Sequence, residues 1–125
     1  MPGNAGAAAI AYAQAELGKP YEWGGTGPYA FDCSGLTYMA YRSAGIHIAR
    51  TSQDQWATEP HVSSPQPGDL VFYPGADGTW ASPGHVALVV APGQMIEAYG
   101  TGYPIRQVPI RPGMVGYTDP AADSS

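Results

Sequence analysis

The sequence is organised around one stretch, Phe31-Asp32-Cys33-Ser34-Gly35-Leu36, in which a loop enters a helix. The helix is predicted over 33–44, because Asp32 is a typical N-cap and Gly45 a typical terminator. Its predicted core-facing stripe, at i, i+3, i+4 and i+7, is Leu36, Met39, Ala40 and Ser43. Gly35 is a poor helix residue, which indicates that another part of the chain comes close to the first turn.

Cys33 is the only cysteine of the chain. At a helix N-terminus its sulfur lies at the positive end of the macrodipole, where backbone N–H groups favour thiolate over thiol. The same N–H groups could hold the oxyanion of a tetrahedral intermediate. The sequence therefore predicts that Cys33 is a nucleophile, and the ordinary alternative is a buried, inert cysteine.

The rest of the first half is predicted to be helix and loop. An alanine-rich helix is expected over 5–17, with Asn4 as its N-cap and Gly18 just beyond its end. A loop rich in glycine and aromatic residues follows over 20–31. A helical turn is expected over 53–57, within a longer loop.

The second half alternates apolar runs with glycine and proline turns, which is typical of β-strands. Four strands are predicted there, at 69–73, 86–90, 94–99 and 105–110. The second of these is apolar on both faces, as expected of a central strand. The chain is therefore predicted to form one α+β domain over 1–118, followed by a disordered tail over 119–125.

Three histidines could serve as the proton acceptor that a cysteine nucleophile needs. His47 is expected to be an exposed strand residue, and His61 lies in a polar loop. His85 opens the apolar central strand, where a polar, titratable side chain needs a reason. A structural histidine would also fit that position.

Glu97 favours His85 as the base. If residues 91–93 form the turn, Ala87 lies opposite Glu97, and His85 and Glu97 become diagonal neighbours on one face, about 7–8 Å apart at the backbone. A carboxylate there can hold the imidazole ring and stabilise its charged form. A turn one residue longer or shorter would put the two on opposite faces, and Glu97 could also be an outward-facing edge residue.

Composition and charge exclude several classes of protein. The chain has 125 residues, enough for one domain with its own core, and 44% are apolar. Five basic residues against ten acidic ones give a net charge of −5 with the cations scattered, which argues against nucleic-acid or anionic-lipid binding. A single cysteine excludes an internal disulfide and a cysteine-based zinc site.

No targeting or membrane segment is expected. The chain has no run of about 18 apolar residues, and the start Met1-Pro2-Gly3-Asn4 lacks the basic region of a signal peptide. We therefore expect that the protein acts where it is made, uses another export route, or is a domain of a longer chain.

Six short motifs in order resemble the signature of the NlpC/P60 cell-wall peptidases. They are Gly18-Lys19-Pro20-Tyr21-Glu22-Trp23-Gly24-Gly25, Phe31-Asp32-Cys33-Ser34-Gly35-Leu36, Arg50-Thr51-Ser52, Pro67-Gly68-Asp69-Leu70-Val71-Phe72-Tyr73, Gly84-His85-Val86-Ala87 and Met95-Ile96-Glu97-Ala98. The resemblance implies a papain-like α+β fold, with helices packed on a central antiparallel sheet and the nucleophilic cysteine at a helix N-terminus. It also implies hydrolysis of peptidoglycan stem peptides, commonly between γ-D-glutamyl and the diamino acid, meso-diaminopimelate.

Carried over residue by residue, the resemblance makes Cys33 the nucleophile and His85 the general base. Glu97 occupies the third polar position, where many members have His or Asn. An acidic residue there resembles the mycobacterial resuscitation-promoting-factor-interacting endopeptidases, so the departure is expected to be tolerated.

The resemblance also gives three substrate-binding residues, Tyr21, Asp32 and Ser34. Ser34 is the expected contact for the D-glutamyl carboxylate. The ordinary alternatives are a packed aromatic ring, an N-cap and a hydroxyl in the first turn of a helix. Trp23 is expected to pack in the core first and to line the cleft second.

The expected partner is a peptidoglycan stem peptide or muropeptide, bound by a monomer outside the cell or in the cell wall. No metal, cofactor, nucleic acid or membrane insertion is expected. Two other functions stay open. One is a different Cys-His amidase, such as an N-acetylmuramoyl-L-alanine amidase, a toxin or a phage lysin. The other is a non-catalytic module that binds the cell wall.

Overall fold

Three α-helices and a six-stranded sheet make up the chain over residues 3–124, which a computed structural model describes. The helices are α1 (Asn4–Ala15), α2 (Cys33–Ser43) and α3 (Ser52–Thr58). The strands are β1 (His61–Val62), β2 (Leu70–Tyr73), β3 (His85–Ala91), β4 (Gln94–Glu97), β5 (Arg106–Pro109) and β6 (Gly116–Thr118). This is the expected α+β class.

The sheet is antiparallel and has the order β1-β6-β2-β3-β4-β5. Val86, Leu88 and Val90 of β3 face the main core, which also contains buried residues of α1 and α2. Ala87 and Val89 face a second, smaller cluster on the other side of the sheet. The predicted central strand with both faces covered is therefore confirmed.

The start and end of α2 follow the prediction. The Asp32 side chain caps the helix by accepting a hydrogen bond from the Gly35 N–H at 2.6 Å. The helix ends at Ser43, and Gly45 has a φ of +83°, a left-handed conformation that glycine adopts at little cost. These local signals fix where Cys33 enters the helix.

The predicted core stripe of α2 is only partly right. Leu36 and Ala40 are buried, whereas Ser43 is exposed and Tyr41 is buried instead. Tyr41 can be buried because its hydroxyl donates a hydrogen bond to the carbonyl of Gly68, so that its polar end is satisfied. The predicted stripe did not include Tyr41 because its hydrogen-bond partner, Gly68, lies in a loop that is distant in the sequence.

The first helix begins and ends earlier than expected. It starts at Asn4 after Gly3 as the N-cap, without a side-chain capping bond, so Asn4 is not the cap. The helix stops at Ala15, and the N–H of Gly18 donates to the carbonyl of Ile105 at 2.9 Å. This bond ties the end of the first helical segment to the segment leading into β5.

The C-terminal segment departs from the expected tail. The Asp119 N–H donates to the Pro60 carbonyl at 2.8 Å, and Ala121 packs against the main core. A 3-10 helix covers Pro120–Ser124, whereas Ser125 lies outside the described residues. The boundary expected at 118 therefore falls inside a segment with defined contacts, because β6 carries the chain back to the sheet.

The close approach that Gly35 indicated comes from the loop over 20–31. The carbonyl of Gly25 accepts a hydrogen bond from the Asp32 N–H at 3.0 Å, so this loop lies directly over the first turn of α2. A Cβ on Gly35 would overlap the same carbonyl oxygen. Because the obstacle is backbone, a side-chain rotation cannot relieve it.

We predict that Gly35→Ala destabilises the protein. Alanine is the better helix former by about 1 kcal/mol, but the overlap with the Gly25 carbonyl should outweigh this and leave a net loss of about 1–3 kcal/mol. Gly100→Ala is the matched control, since a Cβ there has no neighbour within 4 Å. Denaturant unfolding would measure both, and a Gly35→Ala midpoint equal to the control's would contradict the prediction.

Candidate active site

A cleft of about 410 Å³ opens at the N-terminal end of α2. The loop over 20–31 and the start of α2 contribute to its lining, together with the segment that leads into β3. Five of the six residues predicted for the site line the cleft. They are Tyr21, Asp32, Cys33, Ser34 and His85. Glu97 lies behind His85 and is fully buried.

Cys33 lies against the first residues of β3. Its side chain is half-buried, and its Sγ lies 3.8 Å from the carbonyl oxygen of Gly84. The backbone N–H of Val86 also contacts the sulfur. Since Gly84 and Val86 flank His85 in the sequence, the sulfur lies beside the backbone of this histidine, and both side chains line the cleft.

Backbone N–H groups act on the Cys33 thiol in the expected direction, but burial outweighs them. Burial raises the pKa of the Cys33 thiol from 9.0 to about 11, although backbone N–H groups of Val86, Ser34 and Cys33 itself act to lower it. The helix N-terminus therefore acts in the direction that the sequence indicated, but desolvation is the larger effect. At neutral pH the sulfur carries its proton and needs a base to remove it.

The hairpin of β3 and β4 has the expected strand pairing but a shorter turn than predicted. Leu88 pairs with Ile96, as a turn over 91–93 would require. However, Ala91 pairs with Gln94, which leaves only residues 92–93 as the turn. The predicted three-residue turn is therefore wrong, and a register shift between Val89 and Ala91 compensates for the residue that the turn lacks.

His85 and Glu97 consequently lie on one face of the sheet and are in contact. The Nε2 of His85 lies 2.8 Å from Oε1 of Glu97. Because an ionised carboxylate only accepts hydrogen bonds, Nε2 carries the proton and Nδ1 is left as the free acceptor. His85 is 7% exposed and Glu97 is 0% exposed, so the contact is shielded from water.

Two arginines hold the other side of the Glu97 carboxylate. Arg106, which pairs with Glu97 across β4 and β5, donates from Nε at 3.2 Å and from Nη2 at 3.0 Å to Oε2. Arg111 donates from Nη1 to Oε2 at 2.9 Å and from Nη2 to Oε1 at 2.8 Å. We call Glu97, Arg106 and Arg111 the carboxylate clamp.

The clamp keeps Glu97 ionised. Burial acts to raise the pKa of this carboxyl, but hydrogen bonds and charges from His85 and Arg111 outweigh burial and lower it from 4.5 to about 2. Glu97 is therefore an anion at neutral pH in spite of its complete burial.

A third arginine is fixed at the cleft. Arg50 makes a two-pronged ion pair with Asp32, from Nη1 to Oδ1 at 3.1 Å and from Nη2 to Oδ2 at 2.9 Å. Arg50 Nη1 also donates to Ser34 Oγ at 2.9 Å. Asp32 thus acts as N-cap and as the anchor of Arg50, and Ser34 lies beside the guanidinium.

Two aromatic residues of the loop, Tyr21 and Trp23, line the cleft. Trp23 is 77% exposed and lines the cleft, so the expectation that it packs in the core is wrong. Tyr21 is half-buried, packs against the main core and also lines the cleft. Both the packing role and the cleft position expected of Tyr21 are therefore present.

The other two histidines lie outside the lining of the cleft. His47 is exposed, in a loop rather than the expected strand, and packs edge-on against Tyr38 with 5.6 Å between ring centroids. His61 lies in β1 and stacks on Trp56 at 3.8 Å. His61 was expected in a loop and instead lies in a short strand, and of the three histidines His85 is the one that lines the cleft, as the sequence favoured.

Within residues 3–124, no group of three or more His, Cys, Asp or Glu side chains is arranged to hold a metal ion. None of the helices in that range is long and apolar enough to cross a membrane.

The model of the NlpC/P60 family matches residues 18–118. The chain belongs to the NlpC/P60 family. The match begins at the end of the first helical segment and runs through β6, so it includes every residue of the cleft and of the carboxylate clamp.

Several NlpC/P60 proteins are similar to this chain. The probable endopeptidase p60 of Listeria monocytogenes is 47% identical over 95 residues, which are 74% of this chain and 19% of p60. A probable endopeptidase of Corynebacterium glutamicum is 42% identical over 107 residues, 83% of this chain and 48% of that protein. The chain thus spans about a fifth to a half of the length of these relatives.

A solved NlpC/P60-type structure has the same fold. The peptidoglycan hydrolase RipB of Mycobacterium tuberculosis superimposes with a TM-score of 0.80 at 34% identity, covering 91% of this chain and 63% of RipB. This confirms the papain-like NlpC/P60 fold that the motifs implied.

Sequence reasoning assigned no role to three arginines of this NlpC/P60 site. Arg106 and Arg111 were counted only among five scattered cations, and Arg50 was noted besides only as part of a family motif, yet the fold brings all three to two carboxylates of the site. A sequence feature that could have singled out these arginines is that the chain has few cations and a net charge of −5. Arg106 also lies opposite Glu97, but this follows only once the register of β4 and β5 is known.

We predict that Glu97→Gln loses stability in a pH-dependent way. The folded-state pKa of Glu97 is below its unfolded value, so its ionisation stabilises the fold above about pH 4.5 and this contribution fades as the pH falls towards about 2. The stability difference from wild type should reach up to about 3 kcal/mol near neutral pH and shrink in that window.

Urea unfolding between pH 2 and 7 would measure this difference. Glu22→Gln makes the same chemical change on an exposed side chain and should track the wild type. If Glu97→Gln lowers the free energy of unfolding by the same amount at every pH down to 2, the conclusion that Glu97 is a buried anion is contradicted.

Proposed function

We propose that the chain is a cysteine endopeptidase that hydrolyses peptidoglycan stem peptides, at the bond between the γ-D-glutamyl residue and the diamino acid, meso-diaminopimelate. The observation that carries the proposal is the hydrogen bond from His85 to the buried Glu97, behind the cleft that Cys33 and His85 line. The family and the names of the relatives, endopeptidases and a peptidoglycan hydrolase, support this substrate class.

In the acylation step, Cys33 attacks the carbonyl carbon of the scissile amide. His85 Nδ1 takes the thiol proton as the sulfur–carbon bond forms, because burial keeps that proton on the sulfur at neutral pH. The Cys33 N–H, at the start of α2, stabilises the oxyanion of the tetrahedral intermediate. His85 then gives its proton to the leaving amine as the carbon–nitrogen bond breaks, which leaves a thioester on Cys33.

Deacylation uses the same residues. His85, again neutral at Nδ1, takes a proton from water as the water oxygen attacks the thioester carbonyl. Collapse of the second tetrahedral intermediate releases the new carboxylic acid, and the proton returns to the sulfur. Glu97 accepts from Nε2 throughout, which keeps Nδ1 turned to the reaction and stabilises the transient imidazolium.

The wall formed by Tyr21, Asp32 and Ser34 recognises the acyl side of the substrate. Arg50 and the Ser34 hydroxyl offer a charged and a neutral donor for the α-carboxylate of the D-glutamyl residue. Asp32 orients both donors and keeps the guanidinium in place. Tyr21 forms the apolar side of the same subsite.

The proposed reaction assigns the chain to the cell wall or the extracellular side of a bacterium, where stem peptides are found. The residues proposed for chemistry all come from one chain, so a monomer suffices. Because the chain spans only part of its relatives' length, the proposal concerns this catalytic domain.

We predict that Cys33→Ala abolishes hydrolysis of a defined muropeptide while the protein stays folded. Mass spectrometry of the products should show cleavage by the wild type between D-glutamate and diaminopimelate, with no product from Cys33→Ala. His47→Ala, which changes an exposed histidine, should match the wild type.

Other product patterns separate the remaining functions. Cleavage between muramic acid and L-alanine would assign the chain to the amidases. Binding of the muropeptide without cleavage by the wild type would identify a non-catalytic module. If Cys33→Ala still hydrolyses the muropeptide, Cys33 is not the nucleophile.

We predict that alkylation of Cys33 by iodoacetamide depends on His85. In the wild type, transfer of the thiol proton to His85 should make Cys33 reactive near neutral pH. In His85→Ala the thiol has lost its base, so the rate should fall at pH 7 and recover only as the pH approaches about 11. Identical pH profiles for the wild type and His85→Ala would remove His85 from its role as base.

A further inference from the structure

The carboxylate clamp differs from an ordinary surface ion pair because its carboxylate is buried. Glu97 is completely buried, and its two oxygens accept four hydrogen bonds from arginine and one from His85. The arginine side chains are about one-third exposed, at 33% and 35%, so the carboxylate lies inside and the cations close it off from solvent. Such bonds between charged groups in a fixed fork are strong and directional.

Tyrosine rings fix both guanidinium groups. Arg106 lies over Tyr99 at 4.8 Å and over Tyr103 at 5.0 Å. Arg111 lies over Tyr73 at 4.7 Å and over Tyr99 at 5.2 Å. The guanidinium groups are therefore held by cation–π contacts as well as by Glu97.

A backbone bond adds to this framework. The Tyr73 hydroxyl donates to the Arg111 carbonyl at 2.9 Å and so fixes the segment that follows β5. Arg111 is thus held at its main chain and at its side chain, in the orientation that reaches both oxygens of Glu97.

The charge balance of the clamp bears directly on His85. A buried carboxylate without other partners would strongly favour the protonated form of the imidazole that it contacts. Here two guanidinium charges meet one carboxylate, so the clamp has a net charge of +1 before His85 gains a proton. This charge opposes protonation of His85, whereas the hydrogen bond from Nε2 to Glu97 favours it.

We propose that Arg106 and Arg111 are positioning residues that act through Glu97: they fix the carboxylate that orients His85 and offset its charge, so that Nδ1 of His85 is held in place to accept the proton of Cys33. This role rests on the proposed peptidase function. It concerns residues that do not line the cleft. Glu97 bonds to both arginines and to His85, and the rings of Tyr73 and Tyr99 also lie between the arginines and the histidine.

Other ionisable groups surround His85 from several elements. Tyr73 of β2, Tyr99 after β4 and Asp77 of the loop before β3 stay unchanged in the titration, and Cys33 of α2 is alanine in every titrated variant. Substituting an arginine of the clamp therefore changes the charge near His85 without changing these neighbours.

The direct test is an NMR titration of the His85 imidazole in a Cys33→Ala background, which needs no substrate. In Arg106→Gln and in Arg111→Gln the imidazole should release its proton about 0.5 to 1 pH unit higher, as one lost, partly exposed cation predicts. Arg42→Gln removes an equal charge from an exposed site on α2 and should leave the titration in place.

Two further variants separate charge from geometry. Arg111→Lys keeps the charge but cannot form the two-pronged contact, so it should titrate near the wild type. In an otherwise wild-type chain it should lower kcat several-fold with little change in KM. Glu97→Gln leaves both cations unpaired, so the His85 titration should move to lower pH by more than one unit.

The outcomes distinguish this proposal from the proposed function. If the titration of His85 does not move in Arg106→Gln and Arg111→Gln, or moves no further than in Arg42→Gln, the proposed role of the two arginines is overturned. If these variants do not fold, an unmoved titration in Glu97→Gln overturns it instead. A wild-type protein that cleaves no muropeptide would overturn the peptidase function and leave the titration as an independent test of the clamp.

Discussion

The structure depends on a carboxylate that has no contact with water. Burying the charge of Glu97 would cost several kcal/mol if it were not paired and hydrogen-bonded. Its partners come from three places in the chain, with His85 on β3, Arg106 on β5 and Arg111 after β5. The register of three neighbouring strands must therefore be correct together, because an error in any of them would leave a buried charge unpaired. The same requirement holds the imidazole in place.

The contact between His85 and Glu97 was predicted from sequence because side-chain direction in a strand depends on parity alone. The turn between β3 and β4 is one residue shorter than expected, which by itself would have put the two side chains on opposite faces. The shift between Val89 and Ala91 restores the parity. A bulge beside a tight proline–glycine turn depends on backbone geometry that residue types do not specify, so the correct contact was reached through an incorrect turn.

The parts of the fold that the sequence predicted are those with local causes. Asp32 caps α2 and Gly35 admits the neighbouring loop, and both effects act within a few residues of Cys33. The strands β1 and β6 were missed because such short strands exist only through their pairing with each other and with β2. Trp23 was misplaced because an aromatic ring is normally buried, and only the complete fold shows which rings remain exposed at a cleft.

Charge is distributed unevenly in this protein, and the site explains why. Three of its five basic residues, Arg50, Arg106 and Arg111, are paired with two carboxylates at or behind the cleft. Burial makes these pairs effective, since a desolvated charge acts at a much lower effective dielectric constant than an exposed one. Burial also keeps the proton on the Cys33 sulfur. Loss of solvation thus raises the pKa of the Cys33 thiol and strengthens the charged partners of His85, although backbone N–H groups at the start of α2 act to lower that pKa.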